Sequence, residues 1–130
     1  MANTDFMRMV EAQADRFRPD SWGAALAEDI GVQDDDLVSD NQRLSGLAAS
    51  DLPAHRLDHD IDTLLVTGVA TNLTVEQTAR HGTDLGFNVH VVGDCVAAAH
   101  PTIHEASLAN LALACEGVLT SDEAIARLGG

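Results

Sequence analysis

The sequence contains no lysine and has few aromatic residues. Its seven basic residues are all arginines, and 21 acidic residues outnumber them to give a formal net charge of −14. A nucleic-acid-binding domain carries a basic patch, so we expect no nucleic-acid partner. The acidic balance fits a halophilic protein from a salt-loaded cytoplasm, where salt screens repulsion between carboxylates. A GC-rich genome that encodes Arg and Asp is the alternative explanation.

Long apolar runs are absent as well. No stretch approaches the roughly 18 apolar residues of a membrane-spanning helix, and residues 1–17 do not read as a signal peptide. Cys95 and Cys115 lack the spacing of metal ligands or of a disulfide framework. We therefore expect a cytoplasmic protein with no membrane contact, no metal and no cofactor. Its 130 residues are predicted to form a single domain.

Short apolar runs rich in β-branched residues alternate with helical patterns along the chain. This alternation predicts βαβ units and a three-layer α/β fold, with a mostly parallel sheet flanked by helices. Asp51 and Ser121 are predicted to cap two helices, and Gly86 is predicted to end a third. Strands are predicted at residues 62–69, 88–95 and 117–122, with a weaker one at 36–40, and helices at residues 6–17, 51–59, 71–85, 101–115 and 121–128.

Residues 62–95 read "DTLLVTGVATNLTVEQTARHGTDLGFNVHVVGDC" and are followed by "HEASLANLA" and "GVLTSDEAIARL". This order of strand, turn, helix and strand resembles the isochorismatase-like cysteine hydrolase superfamily, which includes nicotinamidases, N-carbamoylsarcosine amidohydrolases and isochorismatases. The resemblance covers residues 21–130, whereas residues 1–20 form an N-terminal helix and a divergent segment. It implies an isochorismatase-like sheet from which the first strands are missing.

Hydrolases of this superfamily use an Asp, a Lys and a Cys. The Cys lies on the first turn of a helix after "GV-[AT]-TN", where a non-proline cis peptide and helix amides form an oxyanion hole. The resemblance places Thr74 at the Cys position and Asn41 at the Lys position, and the strand that carries the Asp is absent. We therefore expect the inherited chemistry to be lost, and whether the chain is an enzyme stays open.

A helix N-terminus keeps its positive dipole end whatever side chains it carries. Residues 71–74 are therefore expected to hold a small molecule, although Thr74 also fits a helix residue that satisfies local backbone groups. Cys95 lies at the carboxyl edge of the predicted sheet, where α/β proteins bind ligands, or is a buried structural cysteine. The catalytic candidates, none of them assigned, are Thr74, Asn41 and Cys95, and the expected ligand-binding residues are Asp40, Asn41, Val69, Ala70, Thr71, Asn72, Thr74 and Asp94.

Other residues have simpler interpretations. His55 and His59 are four residues apart on one predicted helix, a spacing that allows both to bind one metal ion. No carboxylate lies where it would complete such a site, so we do not expect a metal there. His104 matches a histidine often found in the superfamily's "HEA-x-L-x-NL" helix and is interpreted as structural. Trp22 is expected to plug a core edge or an interface because of its size.

Three functional hypotheses follow. The chain is a catalytically degenerate binding or assembly subunit, or a hydrolase with altered chemistry that acts on an amide or a carboxylated small molecule. In the third hypothesis, another polypeptide supplies the missing strand and restores a site. Because an open sheet edge is a template for association, we expect a homo-oligomer, dimer or higher, or a complex with a full-length relative that supplies strands.

Overall fold

The computed structural model describes residues 3–129, without the side chains of residues 56 and 57, and divides the chain into two compact units. The first unit ends at Leu37. Its helix α1 (Asp5–Ala12) begins where the Thr4 hydroxyl accepts a hydrogen bond from the Met7 amide at 3.1 Å. None of the described residues of this unit is buried, so local hydrogen bonds rather than a core hold it. Three 3₁₀ turns follow α1, at Ala14–Phe17, Trp22–Ala24 and Glu28–Ile30.

The second unit begins at Val38 and contains a parallel sheet flanked by helices, as predicted. Its three strands lie in the order β1-β2-β3. A short π-helical turn, Thr71–Val75, joins the first strand to the helix that follows it. The elements are α2 (Leu52–His59), β1 (Thr63–Val69), α3 (Glu76–Asp84), β2 (Asn88–Ala97), α4 (Pro101–Ala114), β3 (Gly117–Leu119) and α5 (Ser121–Arg127). Within residues 3–129, every helix is too short or too polar to cross a lipid bilayer.

The core lies on one face of β2. Val89 and Val91 alternate along this strand, are fully buried, and belong to the same apolar cluster as Ala79 of α3 and Leu111 of α4. Burying a Val or Leu side chain stabilises a fold by about 1.5–3 kcal/mol. This cluster therefore fixes α3 and α4 against the sheet.

The predicted weak strand at residues 36–40 is wrong. These residues are exposed and form no strand, and Asp34, Asp35 and Asp36 have low β propensity. The carboxylate of Asp36 accepts a hydrogen bond from the Gln33 amide at 2.8 Å, which closes a local turn instead.

The predicted helix caps need two corrections. Thr120, not Ser121, caps α5: its hydroxyl accepts a hydrogen bond from the Glu123 amide at 3.3 Å, and the Glu123 carboxylate accepts one from the Thr120 amide at 2.8 Å. This reciprocal pair is a capping box. Asp51 makes no side-chain cap bond at α2. Gly86 does end α3, with a φ of 86° that suits glycine.

His90 is buried on the face of β2 opposite to Val89 and Val91. Its side chain is 3% exposed, and its Nδ1 atom has no hydrogen-bond partner among the described residues. Burial is the main cause that lowers the pKa of His90; Arg127 lowers it further, and Glu116 opposes both. The folded protein therefore keeps this imidazole neutral.

This burial predicts that the free energy of unfolding falls on acidification. Because the pKa of His90 is lower in the folded state, the unfolded chain binds more protons as the pH falls below about 6.5. The contribution of the neutral His90 imidazole to the free energy of unfolding is complete above about pH 6.5 and is lost as the pH falls below it. The free energy of unfolding, measured by urea denaturation at pH 7.5 and at pH 5.5, should differ less between the two pH values for His90→Leu than for the wild type. His100→Leu, which removes an exposed imidazole, is the control and should keep the wild-type difference; equal differences in all three proteins would contradict the prediction.

Candidate functional site

The turn after β1 forms the centre of the candidate site. β1 ends at Val69, and the Val69–Ala70 peptide bond is cis, as the resemblance implies. The Ala70 carbonyl then accepts hydrogen bonds from the amides of Leu73 at 3.0 Å and Val75 at 3.2 Å. These bonds start the π-helical turn at the carboxyl end of the strand.

Thr71 anchors this turn to α4. Its side chain is fully buried, and its Oγ1 shares a hydrogen bond with Nδ1 of His104 at 2.9 Å. The Thr71 hydroxyl is therefore committed to this bond, and the residue supports the turn from inside. Asn72 and Thr74 are half-buried in the same turn, so their side chains remain accessible.

A bulge in β2 brings a second group to this edge of the sheet. Val66 of β1 pairs with Val91 of β2, whereas Gly68, only two residues further along β1, pairs with Val96. The extra residues of β2 leave the ladder with β1, and Asp94 among them is exposed. Bulges often re-aim side chains next to functional sites. Asp94 and the turn after β1 therefore lie at the carboxyl ends of neighbouring strands.

Asp94 is held by the start of α5. Its Oδ1 accepts a hydrogen bond from the Ser121 amide at 2.8 Å, and its Oδ2 accepts one from the Ser121 hydroxyl at 2.7 Å. The Ser121 hydroxyl is the main cause that lowers the pKa of Asp94, and the Cys95 side chain also contributes a hydrogen bond. Asp94 is thus a fixed, ionised carboxylate. No local pattern identifies Ser121 as the partner of Asp94, because 27 residues separate them.

Cys95 is exposed beside Asp94 in the bulge, so its interpretation as a buried structural cysteine is wrong. The register shift explains this, because the bulge carries residues at this end of β2 away from the ladder with β1. Cys115 is half-buried and packs against the core cluster.

Asn41 is engaged in its own loop. Its Nδ2 donates hydrogen bonds to the carbonyls of Arg43 at 2.9 Å and Ser45 at 2.6 Å, and its Oδ1 accepts one from the Arg43 amide at 2.7 Å. The Ser45 hydroxyl in turn bonds Nδ1 of His81 on α3 at 2.9 Å. Asn41 therefore shapes a loop that docks on α3, and Asp40 beside it is exposed.

The remaining sequence candidates lie elsewhere. The rings of His55 and His59 stack with their centroids 5.2 Å apart. Within the described part of the chain, no three His, Cys, Asp or Glu side chains lie close enough together to bind a metal ion.

Trp22 is 95% exposed, so its assignment to a core edge is wrong. Together with Arg16 it lines a surface cavity of about 500 Å³ that sequence reasoning missed.

The chain is similar to known proteins over most of its length. The isochorismatase domain model matches residues 3–123. The ureidoacrylate amidohydrolase RutB of Methylobacterium radiotolerans is 32% identical over 105 residues, which cover 80% of this chain and 41% of that protein. YwoC of Bacillus subtilis, an uncharacterized isochorismatase family protein, is 33% identical over 90 residues, or 69% of this chain and 47% of that protein. The chain thus spans about half the length of these curated relatives.

Solved structures show the same similarity. A cysteine hydrolase from Pseudomonas syringae pv. phaseolicola superposes with a TM-score of 0.84 at 26% identity, over 94% of this chain and 64% of that one. An isochorismatase-like hydrolase from Alkaliphilus metalliredigens superposes with a TM-score of 0.79 at 29% identity, over 84% of this chain and 60% of that one.

The bond between Thr71 and His104 predicts a specific effect on stability. Thr71→Val keeps the shape of the side chain but removes the hydroxyl, and losing such a bond costs about 1 kcal/mol. Thr71→Ser keeps the hydroxyl and should destabilise less than Thr71→Val in urea denaturation. If Thr71→Ser is the more destabilised variant, packing of the methyl group rather than the hydrogen bond fixes the turn.

Proposed function

This chain belongs to the isochorismatase family, and we propose that it is a catalytically degenerate member that serves as a small-molecule-binding or assembly subunit. One observation carries the proposal. The helical turn after β1 is present, while Thr74 stands where the resemblance places the nucleophilic Cys. This supports a site that keeps the backbone of a hydrolase without its nucleophile.

The surroundings of Thr74 support the proposed loss of catalysis. A threonine hydroxyl is a weak nucleophile that needs an adjacent base. Among residues 3–129, no hydrogen bond joins the Thr74 side chain to such a base. The chain contains no lysine, and the side chain of Asn41 at the Lys position is used within its own loop. Losing general acid–base catalysis alone costs about 10²–10⁴-fold in rate.

Binding is a function that this arrangement still supports. The first amides of a helix have no partner within the helix, and the positive dipole end favours a carboxylate or a polarised carbonyl. We infer that a ligand contacts the backbone of Val69, Ala70 and Asn72 and the side chains of Asn72 and Thr74, while the buried Thr71 holds the turn in place. Asp94 lies at the end of the neighbouring strand. Asp40 and Asn41 belong to the proposed ligand set through the resemblance.

The proposed ligand is a small amide or a carboxylated molecule. A relative at 32% identity is named a ureidoacrylate amidohydrolase, and ureidoacrylate carries both an amide-type group and a carboxylate. The helix N-terminus suits either group as an acceptor of amide hydrogen bonds. Asp94, as an ionised carboxylate, suits an N–H donor on the same ligand.

A second candidate function is amide hydrolysis by altered chemistry. The observation that favours it is the exposed thiol of Cys95, which directly follows Asp94 in the chain. In such a reaction the Cys95 sulfur bonds to the amide carbonyl carbon while Asp94 takes the thiol proton. The proton then passes to the leaving amine as the C–N bond breaks, and water hydrolyses the thioester to release the acid.

Titration with ureidoacrylate, with ammonia release followed in parallel, separates the two candidates. We expect calorimetric binding without ammonia release above a protein-free blank. Thr74→Phe should weaken binding by at least about tenfold, because loss of well-placed ligand contacts costs 1.4 kcal/mol or more. Gln77→Phe adds the same ring at an exposed position on α3 and is the control. Ammonia release that Cys95→Ser abolishes would support the second candidate, and absence of binding to the wild type would contradict the first.

The assembly part of the proposal concerns the outer edge of β1. Among the described residues, β1 pairs only with β2. Its seven residues carry no charge, and Val69 is 72% exposed. An uncharged, uncovered strand accepts a further strand through its backbone groups. We propose that another polypeptide, a second copy or a longer relative, pairs along this edge.

Hydrogen exchange along β1 tests this pairing. Amides of β1 that point outward should exchange more slowly when the protein associates, in concentrated relative to dilute solution or on adding a full-length relative. Thr67→Lys places a charge on the edge strand, which opposes strand addition, and should remove the protection. Gln77→Lys adds the same charge on α3 and should leave it unchanged. Exchange at β1 that is insensitive to association would contradict strand pairing.

A further inference from the structure

The first unit carries a surface cavity that includes neither the proposed ligand site after β1 nor the outer edge of β1. Its volume is about 500 Å³, which is within the range of small-molecule sites. Two charged side chains, one small polar residue, one indole ring and a glycine line it: Asp15, Arg16, Ser21, Trp22 and Gly23. All five residues precede Leu37, so the first unit builds the cavity alone.

We propose that this cavity binds an aromatic amino acid as its zwitterion, with the ring against Trp22, the carboxylate at Arg16 and the ammonium group at Asp15. The residues of the proposed site after β1 and the outer edge of β1 belong to the second unit, which begins at Val38. The inference therefore depends neither on ligand binding at that turn nor on strand pairing.

Local contacts fix the shape of the cavity. The Ser21 hydroxyl donates a hydrogen bond to the Arg16 carbonyl at 2.8 Å, and the Ser21 amide donates one to the Arg18 carbonyl at 2.9 Å. Gly23 packs directly against the same Arg16 carbonyl, at a place where a larger residue would collide with it. The turn that carries Trp22 is therefore held close to the turn that carries Arg16.

The two charged side chains of the cavity have no partners of their own. Among residues 3–129, the side chains of Asp15 and Arg16 make no hydrogen bond and no ion pair, whereas Arg18 pairs with Asp20 at 3.4 Å. Successive residues of a helical turn point in different directions. This keeps Asp15 and Arg16 apart, although both line the cavity. One negative and one positive group therefore remain available to a ligand.

These two charges select for a zwitterion. A simple anion would meet the carboxylate of Asp15, and the net charge of −14 on the chain would repel it. A simple cation would meet the guanidinium of Arg16. An α-amino acid can place its carboxylate at Arg16 and its ammonium group at Asp15, each in a charge-assisted hydrogen bond. Because it has no net charge, the acidic chain does not repel it.

Trp22 adds the preference for a ring. Its side chain is 95% exposed, so almost the whole indole surface is free for a ligand to cover. Two aromatic rings gain from an offset or edge-to-face arrangement in addition to the area they bury. An aliphatic side chain would gain from burial alone. An amino acid with an aromatic side chain therefore uses all three groups of the cavity.

The fluorescence of Trp22 tests the proposal directly. Trp22 is the only tryptophan of the chain, which has no tyrosine, so emission excited at the red edge of the indole band reports on the cavity. Titration of the full chain with L-phenylalanine should change this emission in a saturable way. We expect a dissociation constant on the order of millimolar, because the cavity is open to solvent and the ligand is small.

Two arginine variants form a matched pair in this titration. Arg16→Gln should raise the dissociation constant about threefold to fivefold, as expected for the loss of an exposed charge pair. Arg18→Gln removes the same charge from a side chain that pairs with Asp20 and does not line the cavity. It should leave the dissociation constant unchanged.

Three analogues separate the groups of the ligand. Phenylalaninamide lacks the carboxylate and should bind more weakly than phenylalanine, and Arg16→Gln should not weaken it further. N-acetylphenylalanine lacks the ammonium group and should also bind more weakly, and Asp15→Asn should not weaken it further. Leucine lacks the ring and should change the emission only at higher concentrations than phenylalanine does.

Several outcomes would overturn the proposal. The absence of a saturable change in Trp22 emission with phenylalanine would do so, as would leucine that binds as tightly as phenylalanine. Equal weakening by Arg16→Gln and Arg18→Gln would show a general charge effect and would reject the cavity. Calorimetric binding of phenylalanine that Thr74→Phe abolishes and Arg16→Gln leaves intact would assign the ligand to the turn after β1 instead.

Discussion

Burial of β2 on both faces constrains the rest of the second unit. Val89 and Val91 are fully buried on one face, and His90 and Val92 are nearly so on the other. A strand with this pattern needs a neighbour on each side and helices on both faces. β1 and β3 are the neighbours, α3 and α4 cover the face of Val89 and Val91, and α5 also packs against β2, with its Arg127 near His90. The constraint has a cost, because it buries a histidine whose Nδ1 atom has no partner among the described residues.

The backbone around the proposed site is held by contacts that do not involve Thr74. The turn after β1 is held by bonds to the Ala70 carbonyl and by Thr71 with His104. The β2 bulge is held by Asp94 and Ser121. None of these contacts uses the side chain of Thr74. The side chain at position 74 can therefore change without disturbing the backbone that surrounds it.

How far the sequence predicts the structure depends on the range of the interactions. The three strands and the helices after them are marked by local periodicity, and they form within a few residues of their predicted bounds. The strand at 36–40 does not form, because Asp residues disfavour strands and Asp36 closes a local turn with Gln33 instead. The link between Asp94 and Ser121, and the exposure of Cys95, depend on the register between strands. No local pattern encodes that register.

Net charge limits where a protein of this kind can meet another copy of itself. With 21 acidic and 7 basic residues, most surfaces of two copies repel, and repulsion at this density acts over about 10 Å at moderate salt. The proposed pairing along the outer edge of β1 meets this limit, because the seven residues of that strand carry no charge. Strand pairing gains backbone hydrogen bonds. Because salt screens the repulsion between two acidic chains, a second copy that pairs there should associate more tightly as the salt concentration rises.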